Sequence, residues 1–427
     1  MIETLKNAWR VPELRKKLIY TAVIILLFRL GSSIPVPYID ITALAEYFDS
    51  VSGTMLGYMN VFSGGGLSRA TIFAMSVTPY INASIIIQLL TVAIPALERM
   101  VRDEGEEGRK KISAITRYLG VALGLLQGYS YYVLLRSNSL IQETDFWHGV
   151  VIVLTFTAGT ALIMWMGELI TKNGVGNGIS ILLFAGIVSR GPSMISSLIE
   201  LVRGGGISVF IAVLIVIVSL AIVTFVVFIS EAERRIPIQY AKRVVGRKMY
   251  GGQSTHLPIK VNASGVMPII FAASIMSIPS TIQMMVNPKA GSLSETIFNL
   301  FSSDNAFYIV LYVLLIFMFS YFYAAIQFNP IEIANNLKKN GGFIPGFRPG
   351  RPTSDFITKA LGKVTFLGAI FLSIVAGVPL VVGAINSSLS GVALGGTSVL
   401  ILVGVALETV RQLESQLMMR NYKGFLE

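Results

Sequence analysis

The sequence contains no cysteine, only two histidines and few charged residues. The absence of cysteine from its 427 residues excludes disulfides, thiolate metal sites and thiol nucleophiles. His148 and His256 lie far apart in the chain and neither belongs to an HExxH pattern, so no imidazole metal site is expected. Charged residues form 13% of the chain, about half of their share in a soluble domain, and 53% of the chain is hydrophobic. This composition is typical of a membrane protein.

Long apolar runs are abundant instead. A helix needs about 20 apolar residues to cross a bilayer, and runs of this length predict ten spans. They lie near residues 18–36, 71–94, 112–135, 149–167, 179–201, 207–229, 263–285, 306–326, 364–385 and 392–410. Arg190 and Pro192 interrupt the fifth. We therefore predict an all-α polytopic membrane protein, whose two five-span halves enter the membrane from opposite faces, as in an inverted repeat.

The basic residues are distributed very unevenly between the loops. With ten spans, the segments on the same side as the N-terminus carry 27 of the 34 lysines and arginines, and the opposite loops carry four. The opposite four are Arg69, Arg136, Arg203 and Lys289. Because cytoplasmic loops are enriched in lysine and arginine, both termini are predicted to be cytoplasmic.

Most predicted spans contain no aspartate, glutamate, lysine or arginine. Ion-coupled transporters place ionisable groups inside the membrane, and intramembrane hydrolases need convergent catalytic groups. Glu168 and Glu408 lie only at span ends. A secondary transporter and a membrane-embedded hydrolase are therefore the disfavoured alternatives. The uncharged polar residues Asn82, Gln88 and Gln127 either hydrogen-bond between helices or line a polar seam between helices that can part.

Several long polar and glycine-rich motifs add a family resemblance that covers essentially the whole chain. They are VFSGGGLSRATIFAMSVTPYINASIIIQLLTVAIP from residue 61, EGEEGRKKISAITRY, GELITKNGVGNGISILLFAGIV, ERRIPIQYAKRVVGRKMYGGQSTHLPIKVNASGVMP, ANNLKKNGGFIPGFRPGRPT and GGTSVLI. In these motifs the chain resembles the SecY family of protein-conducting channel subunits. Chance similarity between apolar helices would not reproduce polar loops such as QSTHLPIKVN.

The resemblance implies a channel that is not an enzyme and has no cofactor. Two five-helix halves would surround a central pore through which unfolded secretory polypeptides cross the bacterial plasma membrane, and hydrophobic segments would leave sideways into lipid. The partners implied are the SecE and SecG subunits, the SecA motor ATPase, a translating ribosome, signal peptides with the nascent chain, and membrane lipids, without direct DNA binding.

The resemblance also assigns roles to individual residues. The pore ring would be Val77, Ile81, Ile179, Leu183, Ile270 and Ile401. The plug, within about 58–70, would comprise Asn60, Val61, Phe62, Ser63, Gly64, Gly65, Gly66, Leu67, Ser68 and Arg69. The lateral gate would use the polar residues Gln88 and Gln127, and partner docking would use Arg243, Arg247, Lys248 and Arg348. Apart from the family, the six ring residues would pass for ordinary packing residues.

The predicted organisation has four parts. They are a cytoplasmic N-terminal segment (1–17), an N-terminal half with spans 1 to 5 (18–201), a C-terminal half with spans 6 to 10 and large cytoplasmic loops at 230–262 and 327–363 (202–410), and a cytoplasmic C-terminal tail (411–427). Both large loops are strongly basic, and prolines in the second can hold basic side chains in defined places.

Overall fold

A computed structural model of the chain is almost entirely helical. It describes residues 2–50, 56–57, 60, 63–142, 145–204, 208–240, 243–245, 248–250, 254–262, 264–286, 293–302, 305–385 and 395–423. The helices are α1 Ile2–Arg10, α2 Pro12–Gly31, α3 Ile41–Ser50, α4 Thr78–Ala93, α5 Pro95–Asp103, α6 Gly105–Ser137, α7 Phe146–Asn173, α8 Gly178–Val188, α9 Gly191–Arg203, α10 Val209–Glu231, α11 Met267–Val286, α12 Leu293–Leu300, α13 Ala306–Gln327, α14 Pro330–Lys339, α15 Arg351–Ile385 and α16 Gly395–Lys423.

Each of the ten predicted spans overlaps helical residues. Within the described ranges, seven helical stretches are long and apolar enough to cross a membrane. Two of them join neighbouring helices, α8 with α9 and α13 with α14, and an eighth span results if α4 and α5, bent by 96° at their junction, are taken as one. The first and last predicted spans are less apolar: α2 includes three consecutive basic residues from Arg15, and α16 includes Glu408 and Arg411. The fold is therefore that of a polytopic all-α membrane protein.

The second and fifth spans differ from regular helices. Helix α4 begins at Thr78 rather than near residue 71, because the chain over 63–77 forms consecutive turns. The fifth span consists of two helices, α8 and α9, separated at Ser189 and Arg190. Pro192 lies in the first turn of α9, where its missing N–H costs no helical hydrogen bond.

The chain packs as two units that are discontinuous in sequence. Unit 1 contains residues 1–216, 273–309 and 379–427, and unit 2 contains residues 217–272 and 310–378. These units group residues by packing, whereas the predicted boundary at 201/202 divides the chain by topology and stays a prediction.

Unit 1 has a core around the segment that follows helix α2. Val36, Leu44, Leu67, Tyr131 and Phe156 are buried together in it. Helix α3 contributes the buried Leu44 and Phe48 to this core. Asp40 caps the first turn of α3, because its carboxylate accepts hydrogen bonds from the Thr42 hydroxyl at 2.6 Å and from two backbone N–H groups. The hydrogen bond from the Thr42 hydroxyl is the largest cause that lowers the pKa of Asp40 below its usual value.

Unit 2 contains a small β-sheet that the sequence analysis did not predict. Strand β1 (Glu233–Tyr240) pairs antiparallel with β4 (Ser254–Lys260) on one side and with β5 (Gly342–Phe343) on the other. Between β1 and β4, β2 (Arg243–Val245) and β3 (Lys248–Tyr250) form a hairpin. The sheet thus joins the two loops that were predicted separately at 230–262 and 327–363.

Candidate functional site: the plug segment and the basic loop

The plug segment, residues 60–70, is folded mainly on its own hydrogen bonds. The Asn60 carbonyl accepts from the Gly65 N–H at 2.9 Å and from the Ser63 hydroxyl at 3.0 Å, and the Asn60 side-chain oxygen accepts from the Ser68 N–H at 3.0 Å. The Ser63 hydroxyl in turn accepts from the Leu67 N–H at 3.1 Å. These bonds close the turns that the described residues 63–70 form. Val61 and Phe62 lie outside the described residues.

One face of the plug segment is buried in the core of unit 1. Leu67 is 2% exposed, and its carbonyl accepts a 2.6 Å hydrogen bond from the hydroxyl of Tyr131 on helix α6. The Tyr131 ring is also buried and packs edge-on against Phe156 of α7. At the end of the segment, the Ala70 carbonyl accepts from the Val36 N–H at 2.8 Å. Helices α6 and α7 and the chain after α2 thus hold the segment from three directions.

Gly64 brings the plug segment against the fifth span. Its φ of +68° is a left-handed conformation that other residues rarely adopt. A Cβ at this position would lie 2.9 Å from the Gly186 carbonyl oxygen and 3.2 Å from the Ser189 hydroxyl. A side chain at residue 64 would therefore separate the plug segment from the end of α8.

Four of the predicted pore-ring residues lie at the start of α4 or on α8. Val77 precedes the first turn of α4, and the Ile81 N–H donates to its carbonyl at 3.1 Å. Asn177 caps α8, which fixes the start of the helix that carries Ile179 and Leu183.

Most of these ring residues are buried. Val77, Ile81, Leu183 and Ile401 are buried, and Ile179 is partly buried. Helix α8 packs against α16, which carries Ile401. Ile270 lies in the first turn of α11 in unit 2 and is partly buried. The structure places each residue, while the ring as an assembly stays a prediction.

The two predicted lateral-gate residues have different environments. Gln88 on α4 is exposed. Gln127 on α6 is 6% exposed, and its side-chain oxygen has no hydrogen-bond donor in the described part of the chain. Asn82 on α4 is buried with an equally unpaired side-chain oxygen. Their role at a gate stays a prediction.

The loop over residues 344–350, here called the basic loop, is anchored in unit 2. Ile344 is 2% exposed and packs in a cluster with Ile236 of β1, Ile259 of β4 and Ile357 of α15. The Phe347 ring packs against Phe356 with their centroids 4.3 Å apart. Strand β5 immediately precedes the loop and ties it to β1.

Arg348 lies at the exposed tip of this anchored loop. Its side chain is exposed, but its carbonyl accepts a 2.8 Å hydrogen bond from the Thr353 hydroxyl. Gly346 and Gly350 on either side have φ of +87° and +106°, which lets the chain turn before and after Arg348. The guanidinium is therefore presented to solvent from a fixed backbone.

The other predicted docking residues belong to the neighbouring hairpin. Arg243 begins β2 and Lys248 begins β3, and these strands pair antiparallel. Arg247 lies outside the described residues. The predicted docking residues with described positions are thus carried by unit 2.

The part of the chain that the structure describes contains no candidate metal site. No group of three or more histidine, aspartate or glutamate side chains is arranged to hold a metal ion among those residues. Glu168, at the C-terminal end of the fourth predicted span, forms an ion pair with Arg117 of α6 at 3.2 Å.

Sequence reasoning missed three features of these sites. Tyr131 could not be recognised, because one tyrosine in an apolar span gives no signal of its hydrogen bond to Leu67. The sheet did leave a signal, since the buried Ile236 and Ile238 alternate with the exposed Pro237 and Gln239 in β1. The convergence of Arg29 and Arg190 on Arg69 depends on tertiary packing alone.

Comparison with known proteins defines the class as a membrane channel subunit. The SecY family model matches residues 71–410. The protein translocase subunit SecY of Thermotoga maritima is 45% identical over 442 residues, covering 100% of this chain and 98% of that protein. The chain also superimposes on a SecY structure described by its plug domain, which stabilises the closed state of the translocation channel and maintains a membrane seal, with a TM-score of 0.61 and 16% identity over 96% of both chains.

A structure of Sec61 in the canine ribosome-channel complex gives a TM-score of 0.62 at 16% identity, again over 96% of both chains. At such identities these structures show the shared fold. The full-length identity to the Thermotoga protein and the family match show more: the chain belongs to the SecY family of protein translocase subunits. Its function is that of a protein-conducting channel, which translocates polypeptides across a membrane.

Proposed function

We propose that this channel is sealed at rest by the plug segment together with the aliphatic ring of Val77, Ile81, Ile179, Leu183, Ile270 and Ile401. The observation that carries the proposal is the burial of Leu67 in unit 1, with the Gly64 turn placed directly against the end of α8. A constriction lined by aliphatic side chains can exclude ions by dewetting. An unfolded polypeptide would displace the plug segment and pass through the ring.

Conductance of the resting channel tests the seal. Replacement of Ile81, Leu183 and Ile401 together by serine should hydrate the constriction and raise the resting ion conductance well above the wild-type level in planar bilayers. The matched control replaces three exposed aliphatic residues of α10, Val213, Ile217 and Leu220, which face away from the packed interior. Equal conductance of the ring variant and the wild type, with both assembled to the same extent, would remove these residues from the gate.

We further propose that the basic loop and the β2–β3 hairpin of unit 2 dock the SecA motor ATPase and the ribosome. The exposed Arg348, with Arg243, Arg247 and Lys248, would contact SecA or a translating ribosome, and the known ribosome-bound relative supports such a partner.

SecE and SecG would complete the complex. Gln88 and Gln127 are proposed to line the lateral gate through which signal peptides and hydrophobic segments enter lipid. The chain would carry out no catalysis and need no cofactor, so the energy comes from these partners.

The proposed location is the bacterial plasma membrane, with both termini and the basic loop in the cytoplasm. The chain has no native cysteine, so one introduced cysteine reports its own position. An impermeant maleimide added outside intact cells should label Arg203→Cys and leave Lys338→Cys unlabelled until the membrane is opened. Labelling of Lys338→Cys from outside would show that the chain has the opposite orientation.

A further inference from the structure

Three arginines converge around the plug segment in unit 1. Arg29 lies in the last turn of α2, Arg69 lies at the end of the plug segment, and Arg190 lies at the break between α8 and α9. The backbone accounts for their approach: the chain after α2 hydrogen-bonds to Ala70, and the Gly64 turn contacts Ser189. Arg69 is close enough to interact electrostatically with both Arg29 and Arg190.

These three positive charges have no negative partner within the described ranges. No acidic side chain there lies within ion-pair distance of any of them. The Nη1 atoms of Arg29 and Arg190 are buried, and neither donates a hydrogen bond to any group that the structure describes. The two buried nitrogens lack acceptors, although Arg69 is exposed and the other two side chains are only partly buried. Like charges in a partly desolvated site repel, so a bound anion would stabilise the cluster.

The surroundings of Arg29 indicate the kind of anion. Leu26, which lies three residues before Arg29 on the same face of α2, is 61% exposed, and the adjacent Leu30 is 57% exposed. In a membrane this apolar surface faces acyl chains or a partner helix. Arg29 ends a span on the side that the charge distribution assigns to the exterior, which is the depth of the phospholipid headgroups. Guanidinium groups bind phosphate oxygens with paired, charge-assisted hydrogen bonds.

We propose that Arg29, Arg69 and Arg190 form a binding site for a phosphate-class oxyanion, supplied either by a phospholipid headgroup or by free phosphate. The bound anion accepts hydrogen bonds from the buried Nη1 atoms and offsets the repulsion that Arg69 experiences. Occupancy favours the docked plug segment, and loss of the anion favours its release. The binding site itself does not depend on the proposed pore ring, so failure of the conductance test would leave it standing.

Thermal unfolding of the full chain, purified with the subunits that accompany it in a phosphate-free maltoside detergent, tests the site. In one arm sodium phosphate is compared with sodium chloride at equal ionic strength. In the other arm a short-chain phosphatidylglycerol is compared with an uncharged maltoside of equal chain length. The variants are Arg69→Gln, an exposed turn position, and Arg136→Gln, an exposed arginine of the same predicted side outside the cluster.

The wild type and Arg136→Gln should show a saturable rise of several degrees in the unfolding midpoint, and Arg69→Gln should show less than half of it. A rise in the lipid arm alone identifies the headgroup as the source, and a rise in both arms identifies phosphate oxygens in either form. An equal rise in Arg69→Gln and the wild type would overturn the proposal. No rise in either arm would also overturn it and would direct attention to an acidic segment of a partner chain.

Discussion

The plug segment of unit 1 and the basic loop of unit 2 are both glycine-rich connections, but they are held in different ways. The plug segment depends on hydrogen bonds between its own groups, on Leu67, and on the Tyr131 hydroxyl. The basic loop depends on strand pairing before it and on Ile344 within an apolar cluster. The contacts that hold the plug segment are mainly polar, whereas those that hold the basic loop bury apolar surface.

This difference matches the role that is proposed for each segment. A net hydrogen bond contributes about 1 kcal/mol, because water competes for both partners, whereas a fully buried aliphatic side chain contributes about 1.5–3 kcal/mol. Polar contacts can also be exchanged one at a time as a segment moves. A plug must be displaced and return, so it suits the first arrangement. A docking surface must keep Arg348 in place under load, so it suits the second.

The largest loss of stability is expected from Ile344→Ala in the cluster that anchors the basic loop. Removing a buried aliphatic side chain from a packed cluster leaves a cavity and costs about 2–5 kcal/mol. The variant should lower the stability of unit 2 by this order and detach the basic loop from the sheet, which limited proteolysis would detect. Ile331→Ala on α14 is the control, because Ile331 is 66% exposed and the same truncation there should cost less than about 0.5 kcal/mol. Equal resistance of the two variants would show that the loop is not anchored through Ile344.

A smaller free-energy change, but a specific one, is expected from Arg348→Glu. The side chain is exposed, so stability should change by no more than about 0.5 kcal/mol. Reversing the charge in the docking surface should lower the translocation rate about tenfold or more, which corresponds to about 1.4 kcal/mol in partner affinity. The measurement is transport of a secretory precursor into vesicles with SecA and ATP.

The same charge reversal at Lys359, an exposed basic residue of α15, should leave most of the transport intact. If Arg348→Glu assembled normally and transported at the parental rate, Arg348 would lose its assigned role. If both reversals reduced transport equally, the net charge of unit 2 would be the cause, and Arg348 would have no specific role.

The spans were predictable from the sequence, whereas the contacts that hold the connecting segments were not. Apolar runs located all ten helical regions because a membrane helix satisfies its own backbone, so length and composition suffice. The start of α4 was misplaced by seven residues, because the apolar residues before Thr78 belong to turns that pack in a core and not to a helix. Hydropathy cannot distinguish these two ways of burying the same residues.

The candidate sites depended more heavily on the family resemblance. The aliphatic residues of the ring look like any other packing residues in the sequence. Arg348 was identified from the family and from the surrounding prolines, but its anchoring through Ile344 joins residues of distant strands and helices. Tyr131 and Leu67 are 64 residues apart in the chain, and no local pattern encodes their hydrogen bond. Such long-range pairs became visible only in the folded chain.

The smallest expected effect, Tyr131→Phe, tests the plug side of the comparison. The substitution keeps the ring and its contact with Phe156 and removes only the hydroxyl that donates to the Leu67 carbonyl at 2.6 Å. That carbonyl would keep the Ala70 N–H, at 3.0 Å, as a donor. The loss of one hydrogen bond should therefore cost about 0.5–1.5 kcal/mol, shared between unfolding and plug release. If the substitution lowers the free energy of plug release by about 1.4 kcal/mol, the displaced state of the plug segment becomes tenfold more populated.

Resting conductance in planar bilayers should therefore rise by up to about tenfold, with little change in precursor transport. Tyr129→Phe is the matched control, because Tyr129 lies two residues away on α6, is 48% exposed, and should give the wild-type conductance. An unchanged resting conductance in Tyr131→Phe would mean that Leu67 and the hydrogen bonds within the plug segment hold it without help from α6. The plug segment would then be held by its own hydrogen bonds and by Leu67, and the Tyr131 hydroxyl would have no part in the difference between the two segments.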